Sequence, residues 1–432
     1  MKILLITDEE WNDYVYGNNV LTNWFQGFDA DFAQIYCSPG LPNNGICSRY
    51  FRITDSQMLK SIYSKHKAGS TVSIPSDGIN QEASKVNLQR QGIYGKMKKL
   101  SLLIHTPVVM LRDAIWGFGR YDKVALKKFI DDFSPDVVYC PRLATPKLLR
   151  LERLVHTMTN APFIAFTADD EASYTEVNYS PLYWLRRWYC HRALKKTMPI
   201  YKEYLMFSKD QAKEYTAEYG IKTGTLYKCG VFPENFESKP VGRPIRLVYA
   251  GKLYCNRWKS LAAIGEALHE INKNSVKMIL DIYTPEQLTK EQGKSLCEEN
   301  HIYVKGSVLG SELARIYKEA DIALHVESFD KKYKYATRVS FSTKIIDLMA
   351  SSCAIMAICW NQHTGYQYLK EFDAAICIDS YDKILRQLQR IVDDPDVLRE
   401  YAKKAYECGK KNHSRDRIQN QLKTTFEKYI IK

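Results

Sequence analysis

The sequence has 432 residues, of which 45% are hydrophobic and 26% are charged, and its formal net charge is +13. This is the composition of an ordinary folded protein, which excludes a largely disordered chain, and the length exceeds what one hydrophobic core usually serves. The positive charge suits a nucleic acid, an anionic membrane or a phosphate-bearing substrate, but no helix-turn-helix, RNA-binding or OB pattern supports nucleic acid as a partner.

The N-terminus and the cysteines indicate the compartment. The apolar run at Lys2–Thr7 is too short for a signal peptide and predicts a buried first strand. No later run approaches the roughly 20 apolar residues that a spanning helix needs. The eleven cysteines are scattered without CxxC spacing, which argues against a disulfide framework or a zinc site. We therefore expect a cytoplasmic protein without a metal ion or other cofactor.

Strand-like runs alternate with helical patterns along the chain. The predicted strands of the first half are Lys2–Thr7, Asp31–Tyr36, Asp136–Tyr139, Pro162–Phe166 and Tyr204–Phe207. Those of the second half are Ile245–Ala250, Lys277–Tyr283, Ile302–Lys305, Ile322–Val326, Ala354–Ile358 and Ala374–Ile378. The helical patterns between them include Val124–Phe133, Lys209–Tyr219, Ser260–Asn272, Gly310–Glu319 and Thr343–Ala350. This alternation predicts an α/β protein with two doubly wound domains of parallel strands.

Two prolines and a glycine in the segment Glu237–Pro244 predict the domain boundary. We expect an N-terminal domain at 1–238, a C-terminal domain at 239–413 and a final helix at 414–432 that packs back on the N-terminal domain. The polar segment Ala68–Gly95 predicts a long loop or insertion.

A cation-rich loop follows the first predicted strand of the second domain. Gly251 comes directly after that strand, and Lys252, Arg257 and Lys259 follow it. A glycine lets a ligand approach the backbone closely, and cations neutralise the charge of a diphosphate. A surface loop with solvated cations is the alternative interpretation.

A capped helix carries the second group of candidate residues. Ser342 or Thr343 is a natural N-cap, Lys344 adds a positive charge at the helix start, and Asp347 lies one turn further on. Such a helix start attracts an anion, and a carboxylate at this place is able to accept both hydroxyl hydrogens of a ribose. A capped helix with an exposed lysine and aspartate is the alternative.

The stretch Ser342–Ser352, followed by an apolar strand, resembles the nucleotide-binding signature of GT-B glycosyltransferases, specifically glycosyltransferase family 4. The residues at the places of the two signature elements are Gly251, Arg257, Lys259, Ser342, Thr343, Lys344 and Asp347. The resemblance implies two Rossmann-like domains facing across a cleft. It also implies retaining, metal-independent transfer of a hexose-like sugar from a UDP- or GDP-sugar, in surface polysaccharide or glycoconjugate synthesis.

The sequence departs from the family pattern at one acidic position. The pattern has two glutamates separated by seven residues, whereas this chain has Asp347 at the second place and Val339 at the first. Glu327 is a nearby candidate for contact with the sugar, and pairing with Arg338 or Lys331 is its alternative role. The identity of the transferred sugar is therefore open.

The resemblance also implies residues for the nucleotide base and the acceptor. Contacts to the base are expected near Lys305. In the N-terminal domain, Gly17 and Asn18 lie in a loop expected beside the donor phosphate, although an asparagine here also suits an N-cap. Asp169 or Asp170 is expected to bind a sugar hydroxyl or the acceptor, with Asp169 as the predicted catalytic-face acid.

The chemistry expected at this site requires cations in fixed positions. Breaking the bond between sugar and diphosphate develops negative charge on the diphosphate, which fixed cations stabilise. Arg257, Lys259 and Lys344 are the predicted residues for that role. A GT-B-like protein that binds a nucleotide sugar or glycan without transferring it is the alternative function.

Two segments suggest a lipid-linked acceptor and contact with a membrane surface. Leu100–Trp116 is apolar and follows a short lysine-rich run, and Tyr183–Tyr189 is aromatic and precedes Arg192, Lys195 and Lys196. Aromatic and basic residues together are typical of helices that lie on anionic lipid at the inner face of a membrane. Amphipathic helices with buried aromatic residues are the alternative.

Overall fold

The computed structural model describes residues 1–15, 19–73, 105–171, 173–308 and 310–430. The chain forms two compact units. The first consists of residues 1–174, 178–226 and 419–432, and the second of residues 175–177 and 227–418. The predicted boundary at 238/239 therefore lies inside the second unit. Most of the predicted loop at Ala68–Gly95 lies outside the described residues.

The described part of the first unit contains an eight-stranded sheet with the order β4-β3-β2-β1-β5-β6-β7-β8. Its strands are β1 (Lys2–Thr7), β2 (Asp31–Tyr36), β3 (Arg49–Arg52), β4 (Ser70–Val72), β5 (Val137–Pro141), β6 (Phe163–Thr167), β7 (Tyr201–Met206) and β8 (Thr223–Thr225). All neighbours pair in parallel except β3 and β4, which are antiparallel. Parallel strands need crossovers, which helices supply in most cases here, whereas β2 and β3 are joined by a segment without a helix.

The helices of the first unit are α1 (Val20–Phe25), α2 (Asp55–Tyr63), α3 (105–118), α4 (Lys123–Phe133), α5 (Pro146–His156), α6 (Pro181–Thr197) and α7 (Lys209–Tyr219). Helix α7 begins at an N-cap, because the Ser208 side chain accepts a hydrogen bond from Gln211 N, and it ends at Gly220 in the left-handed conformation. The apolar faces of the sheet and helices form one buried core, which includes Leu4, Leu126 and Phe163.

The second unit contains a parallel sheet with the order β11-β10-β9-β12-β13-β14. Its strands are β9 (Ile245–Ala250), β10 (Met278–Tyr283), β11 (Ile302–Lys305), β12 (Ile322–Val326), β13 (Ala354–Ile358) and β14 (Ile376–Ile378). The strand order reverses between β9 and β12, as in the doubly wound nucleotide-binding fold. The predicted α/β class and the predicted pair of Rossmann-like units are confirmed.

The helices of the second unit are α8 (Arg257–Ile271), α9 (Lys290–Ser295), α10 (Gly310–Glu319), α11 (Lys331–Ala336), α12 (Lys344–Met349), α13 (Thr364–Glu371), α14 (Ile384–Asp393) and α15 (Val397–His413). Leu247, Ile282, Ile322 and Met356, from four adjacent strands, lie in the buried core of this unit. Because its strands are covered on both faces, they read as continuous apolar runs in the sequence.

The last helix, α16 (Arg415–Glu427), returns the chain to the first unit. Its Gln419 side chain donates to the carbonyl oxygen of Trp24 at 2.8 Å, and the buried Phe426 ring lies 5.2 Å from the ring of Tyr139. Beyond the helix, Lys428 forms an ion pair with Glu203. These contacts place the C-terminal segment against the N-terminal unit.

Candidate functional site

The candidate site of the second unit lies where its strand order reverses. Gly251 directly follows β9, and Glu327 directly follows β12, the neighbouring strand. In open parallel sheets, ligands bind outside the carboxyl ends of the strands at such a reversal. The topology therefore brings the Gly251 loop and Glu327 to the edge where a ligand is expected.

Arg257 and Glu327 form a bidentate ion pair at this edge of the sheet. The Nε and Nη2 atoms of Arg257 donate to the two carboxylate oxygens of Glu327 at 2.9 and 2.7 Å. The Glu327 side chain is 5% exposed and that of Arg257 is 14% exposed. Burial alone would lower the pKa of Arg257, but the Glu327 carboxylate outweighs it and raises that pKa above its usual range. The pair fixes the guanidinium at the start of α8.

Lys344 reaches the same place from α12. Its Nζ donates to the carbonyl oxygen of Ala250 at 3.0 Å. A Cβ atom built on Gly251 would overlap this Nζ, so Lys344 in its present position packs directly on the Gly251 backbone. Burial of the ammonium group, together with the Arg257 guanidinium, lowers the pKa of Lys344. Arg257 and Lys344 therefore form a pair of neighbouring cations beside the Gly251 backbone.

Lys259 is engaged in a contact between two loops. Its Nζ lies 2.9 Å from Asp330 Oδ2, to which the Asn256 side chain also donates at 2.6 Å. The Asn256 and Lys259 contacts lower the pKa of the Asp330 carboxyl. These bonds tie the Gly251 loop to the segment that follows Glu327.

The predicted helix begins at Lys344, so the N-cap position is the second of the two expected ones. Thr343 occupies the N-cap position but makes no side-chain capping hydrogen bond, and Ser342 precedes it. Asp347 is half exposed and accepts from Lys228 Nζ at 2.9 and 3.1 Å. The Lys228 pairing was not predicted, because the two residues are 119 positions apart in the chain.

The other predicted donor residues lie in neighbouring loops. Lys252 is exposed next to Gly251. Lys305, at the end of β11, pairs with the buried Asp281 at 2.9 Å, and its ammonium lies 5.5 Å from the centre of the Tyr283 ring. Thr284 follows Tyr283 and is buried. Lys305 thus lies at the carboxyl edge of the same sheet as the rest of the site.

One group in the described residues has the composition of a metal site. His325, Cys359 and His363 are buried, and one ligand atom of each lies within 4.8 Å of the others. However, His363 Nδ1 accepts a hydrogen bond from the amide of Gly365, so in the neutral ring the proton lies on the other nitrogen. Burial lowers the pKa of both imidazoles. As arranged, the group does not present three free lone pairs to a metal ion.

The first unit places the predicted acidic residues after β6. Asp169 is exposed, whereas the Asp170 carboxylate accepts from Arg187 Nη2 at 2.9 Å and from the amide of Ser173 at 3.0 Å. These hydrogen bonds of Asp170 stabilise the loop that follows β6. Gly17 and Asn18 lie outside the described residues, so their predicted role at the acceptor side stays a prediction.

Glu171, the next residue, was not predicted. One carboxylate oxygen accepts a hydrogen bond from the amide of Ala144, and the other is buried. Burial raises the pKa of Glu171 to about 7. The loop after β6 therefore contains a carboxyl group that takes up a proton near neutral pH.

We expect the stability of the first unit to depend on pH through Glu171. Its pKa is raised from 4.5 to about 7 on folding, so the folded state holds this proton more tightly. Stability should therefore fall as pH rises from about 4.5 to 7, by up to roughly 3.5 kcal/mol at about 1.4 kcal/mol per pKa unit. Denaturant unfolding across this range measures it, with Glu171→Gln as the control that lacks the effect. Equal pH profiles for both proteins would contradict the assignment.

Comparison with known proteins confirms the predicted resemblance. Residues 252–423 match the family model described as glycosyl transferase-like. No curated protein sequence matches the chain at a significant level. Among the described residues, no helix has both the length and the apolar character needed to cross a bilayer.

Solved structures of GT-B glycosyltransferases share the fold. Sucrose-phosphate synthase from Thermosynechococcus elongatus is 13% identical, with a TM-score of 0.59 over 99% of this chain and 98% of its own. HepE of Anabaena, solved in complex with UDP, is 11% identical, with a TM-score of 0.61 over 99% of this chain and 100% of its own. The pneumococcal O-GlcNAc transferase GtfA, in complex with UDP and GlcNAc, is 14% identical, with a TM-score of 0.50 over 72% of this chain and 61% of its own. The fold of this chain is that of GT-B glycosyltransferases.

Proposed function

We propose that this chain is a glycosyltransferase that moves a sugar from a nucleotide-sugar donor to a glycan or lipid-linked acceptor. The observation that carries the proposal is the pair of cations, Arg257 and Lys344, held beside the Gly251 backbone where the strand order reverses. This is the place and the chemistry that a nucleoside diphosphate requires.

The proposed chemistry uses fixed charge. As the bond between the sugar and the diphosphate breaks, negative charge grows on the diphosphate, and Arg257 and Lys344 stabilise it without having to reorient. Lys252 is exposed next to Gly251 and adds a third cation. Because three cations are available to neutralise the diphosphate, we propose a metal-independent reaction, with retention of configuration as the family resemblance implies.

We propose a UDP-sugar as the donor and the first unit as the acceptor-binding part. Two of the structures with the same fold were solved with UDP, which supports the choice of nucleotide. In the first unit, Asp169 is exposed in the loop after β6 and is proposed to contact an acceptor hydroxyl. Asp347, accompanied by Lys228, is proposed to bind the ribose.

A transfer assay tests the proposal. The protein is incubated with UDP-, GDP- and ADP-hexoses, and the release of nucleotide and the anomeric configuration of the product are followed by NMR. Release of one nucleotide with formation of a glycoside of retained configuration is the expected result. Tight binding of a nucleotide sugar without release or transfer would instead favour a non-catalytic binding protein.

Glu327 is expected to act by positioning Arg257. In the variant Glu327→Gln the side chain keeps its shape but loses the charge that holds the guanidinium. We expect turnover to fall about tenfold to a hundredfold, because charge-assisted hydrogen bonds of this kind are worth roughly 1.5–3 kcal/mol. The steady-state rate constants of both proteins measure the effect. In an Arg257→Lys background, the same change should have little further effect, and an undiminished second effect would contradict a positioning role.

Helix α6 supports the proposed contact with an anionic membrane. Leu185, Trp188 and Tyr189 are about half exposed on it, and the exposed Lys195 and Lys196 follow towards its end. Exposed apolar and aromatic side chains next to cations are typical of helices at a lipid interface. Trp188 and Tyr189 are thus less buried than the alternative interpretation of the sequence requires.

We expect the double variant Lys195→Ala/Lys196→Ala to bind anionic vesicles about thirtyfold more weakly, at roughly 1 kcal/mol for each lysine. Co-sedimentation with vesicles that contain phosphatidylglycerol measures the affinity. The control Lys290→Ala/Lys294→Ala removes the same charge from α9. An equal loss in both variants, or no binding of the wild type, would remove the membrane proposal.

A further inference from the structure

A strip of lysines and aromatic rings lies directly after Glu327. We call this set the lysine–aromatic strip and define it by the residues Lys331, Lys332, Tyr333, Lys334 and Tyr335 of α11, together with Trp360. The two segments follow β12 and β13, so the strip lies at the same carboxyl edge of the sheet as the proposed donor site.

The cations of the strip have no acidic partners in the described part of the chain. Among the described residues, no carboxylate lies within ion-pair distance of Lys331, Lys332 or Lys334. The nearest acidic residue in the chain, Asp330, is occupied by Lys259 and Asn256. Lys331 and Lys332 are exposed, and Lys334 is half-buried. The strip therefore carries uncompensated positive charge.

Aromatic rings lie beside two of these cations, Lys332 and Lys334, and the Nζ of Lys332 lies 5.7 Å from the centre of the Tyr333 ring. Lys334 Nζ lies 5.5 Å from the centre of the Trp360 ring and 5.7 Å from that of Phe329. Tyr335 meets Trp360 edge-on, with the ring centres 5.5 Å apart and an angle of 72°. Tyr335 and Trp360 are half-buried, so each presents part of its ring to solvent.

The strip is fixed to the donor site. Asp330, which immediately precedes α11, accepts hydrogen bonds from Asn256 and Lys259 of the Gly251 loop. Glu327, which holds Arg257, lies three residues before Asp330 in the chain. A ligand whose diphosphate contacts Arg257 and Lys344 therefore lies close to the start of the strip.

We propose that the lysine–aromatic strip is a subsite for a sugar that carries a carboxylate or phosphate group. This inference rests on the proposed function and names the substrate class of that site. Lysine ammonium groups recognise such anions as point charges. Sugar sites combine aromatic surface with a few well-placed polar or charged groups, and the strip offers both. An acidic group on the sugar would supply the counter-charge that Lys331, Lys332 and Lys334 lack among the described residues.

The anionic sugar has two sources, the donor and the acceptor, and separate binding measurements distinguish them. In the donor arm, calorimetry compares UDP-glucuronate with UDP-glucose. In the acceptor arm, it compares a hyaluronan tetrasaccharide with neutral chitotetraose in the presence of UDP. We expect the acidic ligand to bind at least tenfold more tightly than the neutral one in one arm. A preference in the donor arm identifies the donor as the source of the anionic sugar, and a preference in the acceptor arm identifies the acceptor.

The variant Lys331→Ala/Lys332→Ala/Lys334→Ala should abolish this preference while UDP itself binds as tightly as to the wild type. The control Lys290→Ala/Lys294→Ala/Lys318→Ala removes the same charge from other exposed positions and should retain the preference. The double variant Lys331→Ala/Lys332→Ala changes only exposed side chains and gives the test if the triple variant does not fold.

Equal binding of acidic and neutral ligands in both arms would overturn the proposal, as would an equal loss in the control variant. In these cases UDP still binds, so the proposed function stands. Failure of UDP to bind the wild type is a different result, because it removes the proposed function and this inference with it.

Discussion

Replacing Lys344 with alanine is expected to lower the rate of sugar transfer by about a hundredfold or more, the usual cost of losing one fixed donor to a developing negative charge. The Lys344 ammonium lies over Gly251 and donates to the Ala250 carbonyl, next to the Arg257 guanidinium. Unlike Arg257 and Lys259, Lys344 has no paired carboxylate among the described residues, so its charge is available to a ligand.

The steady-state rate constants of Lys344→Ala and the wild type measure this effect. The variant should stay folded, because the Lys344 residue is exposed overall. The apolar contacts of α12 are made by the buried residues Ile345, Ile346, Leu348 and Met349. Lys290→Ala removes an exposed lysine of the same unit and should leave the rate unchanged. A Lys344→Ala rate within a few-fold of the wild type would place the diphosphate elsewhere.

Replacing Arg142 with alanine is expected to destabilise the first unit by about 3–5 kcal/mol, the typical cost of removing one partner of a buried ion pair. Arg142 and Glu152 are both fully buried, and Arg142 Nε and Nη2 donate to the two Glu152 oxygens at 2.6 and 3.0 Å. Arg142 also donates to the hydroxyls of Tyr204 and Tyr201, each at 2.7 Å. Without it, the buried Glu152 carboxylate loses its counter-charge and keeps a hydrogen bond from the Tyr201 hydroxyl, while the hydroxyls of Tyr201 and Tyr204 lose the guanidinium donor.

Denaturant unfolding of the Arg142→Ala variant measures this loss. The double variant Arg142→Met/Glu152→Leu should be less destabilised than the single one, because it leaves no buried charge unpaired. The exposed pair of Lys127 and Asp131 is the control, and Lys127→Ala should cost less than about 1 kcal/mol. An Arg142→Ala cost as small as that of the exposed pair would contradict the account of this core.

Much of the fold was predictable because it depends on local sequence patterns. The strands β9 and β12 are continuous apolar runs, and their predicted bounds, Ile245–Ala250 and Ile322–Val326, agree with the structure. Because parallel strands align their carboxyl ends, the candidate residues Gly251 and Glu327 could be assigned to one edge of a sheet from sequence alone. The short strands β3, β4 and β8 were missed, since three or four residues carry too little pattern.

The pairing of charged side chains was not predictable, because it depends on tertiary structure. Glu327 was expected to contact a sugar, or Arg338 or Lys331, but it holds Arg257, a residue 70 positions away. Asp347 was expected to be free for a ribose, but it contacts Lys228. Lys259 was expected to stabilise the charge of a diphosphate, but in this structure it contacts Asp330. The predicted roles of these residues in binding and catalysis stay predictions.

Nucleotide binding by the wild type and by Lys344→Ala tests the central claim most directly. Thermal unfolding is followed with UDP, GDP, ADP and CMP, since a ligand that binds only the folded state stabilises it, by about 2.7 kcal/mol at a concentration of one hundred times Kd. We predict that UDP raises the melting temperature of the wild type and has a much smaller effect on Lys344→Ala. If no nucleotide stabilises the wild type at millimolar concentration, or if UDP stabilises both proteins equally, the proposed donor site is wrong.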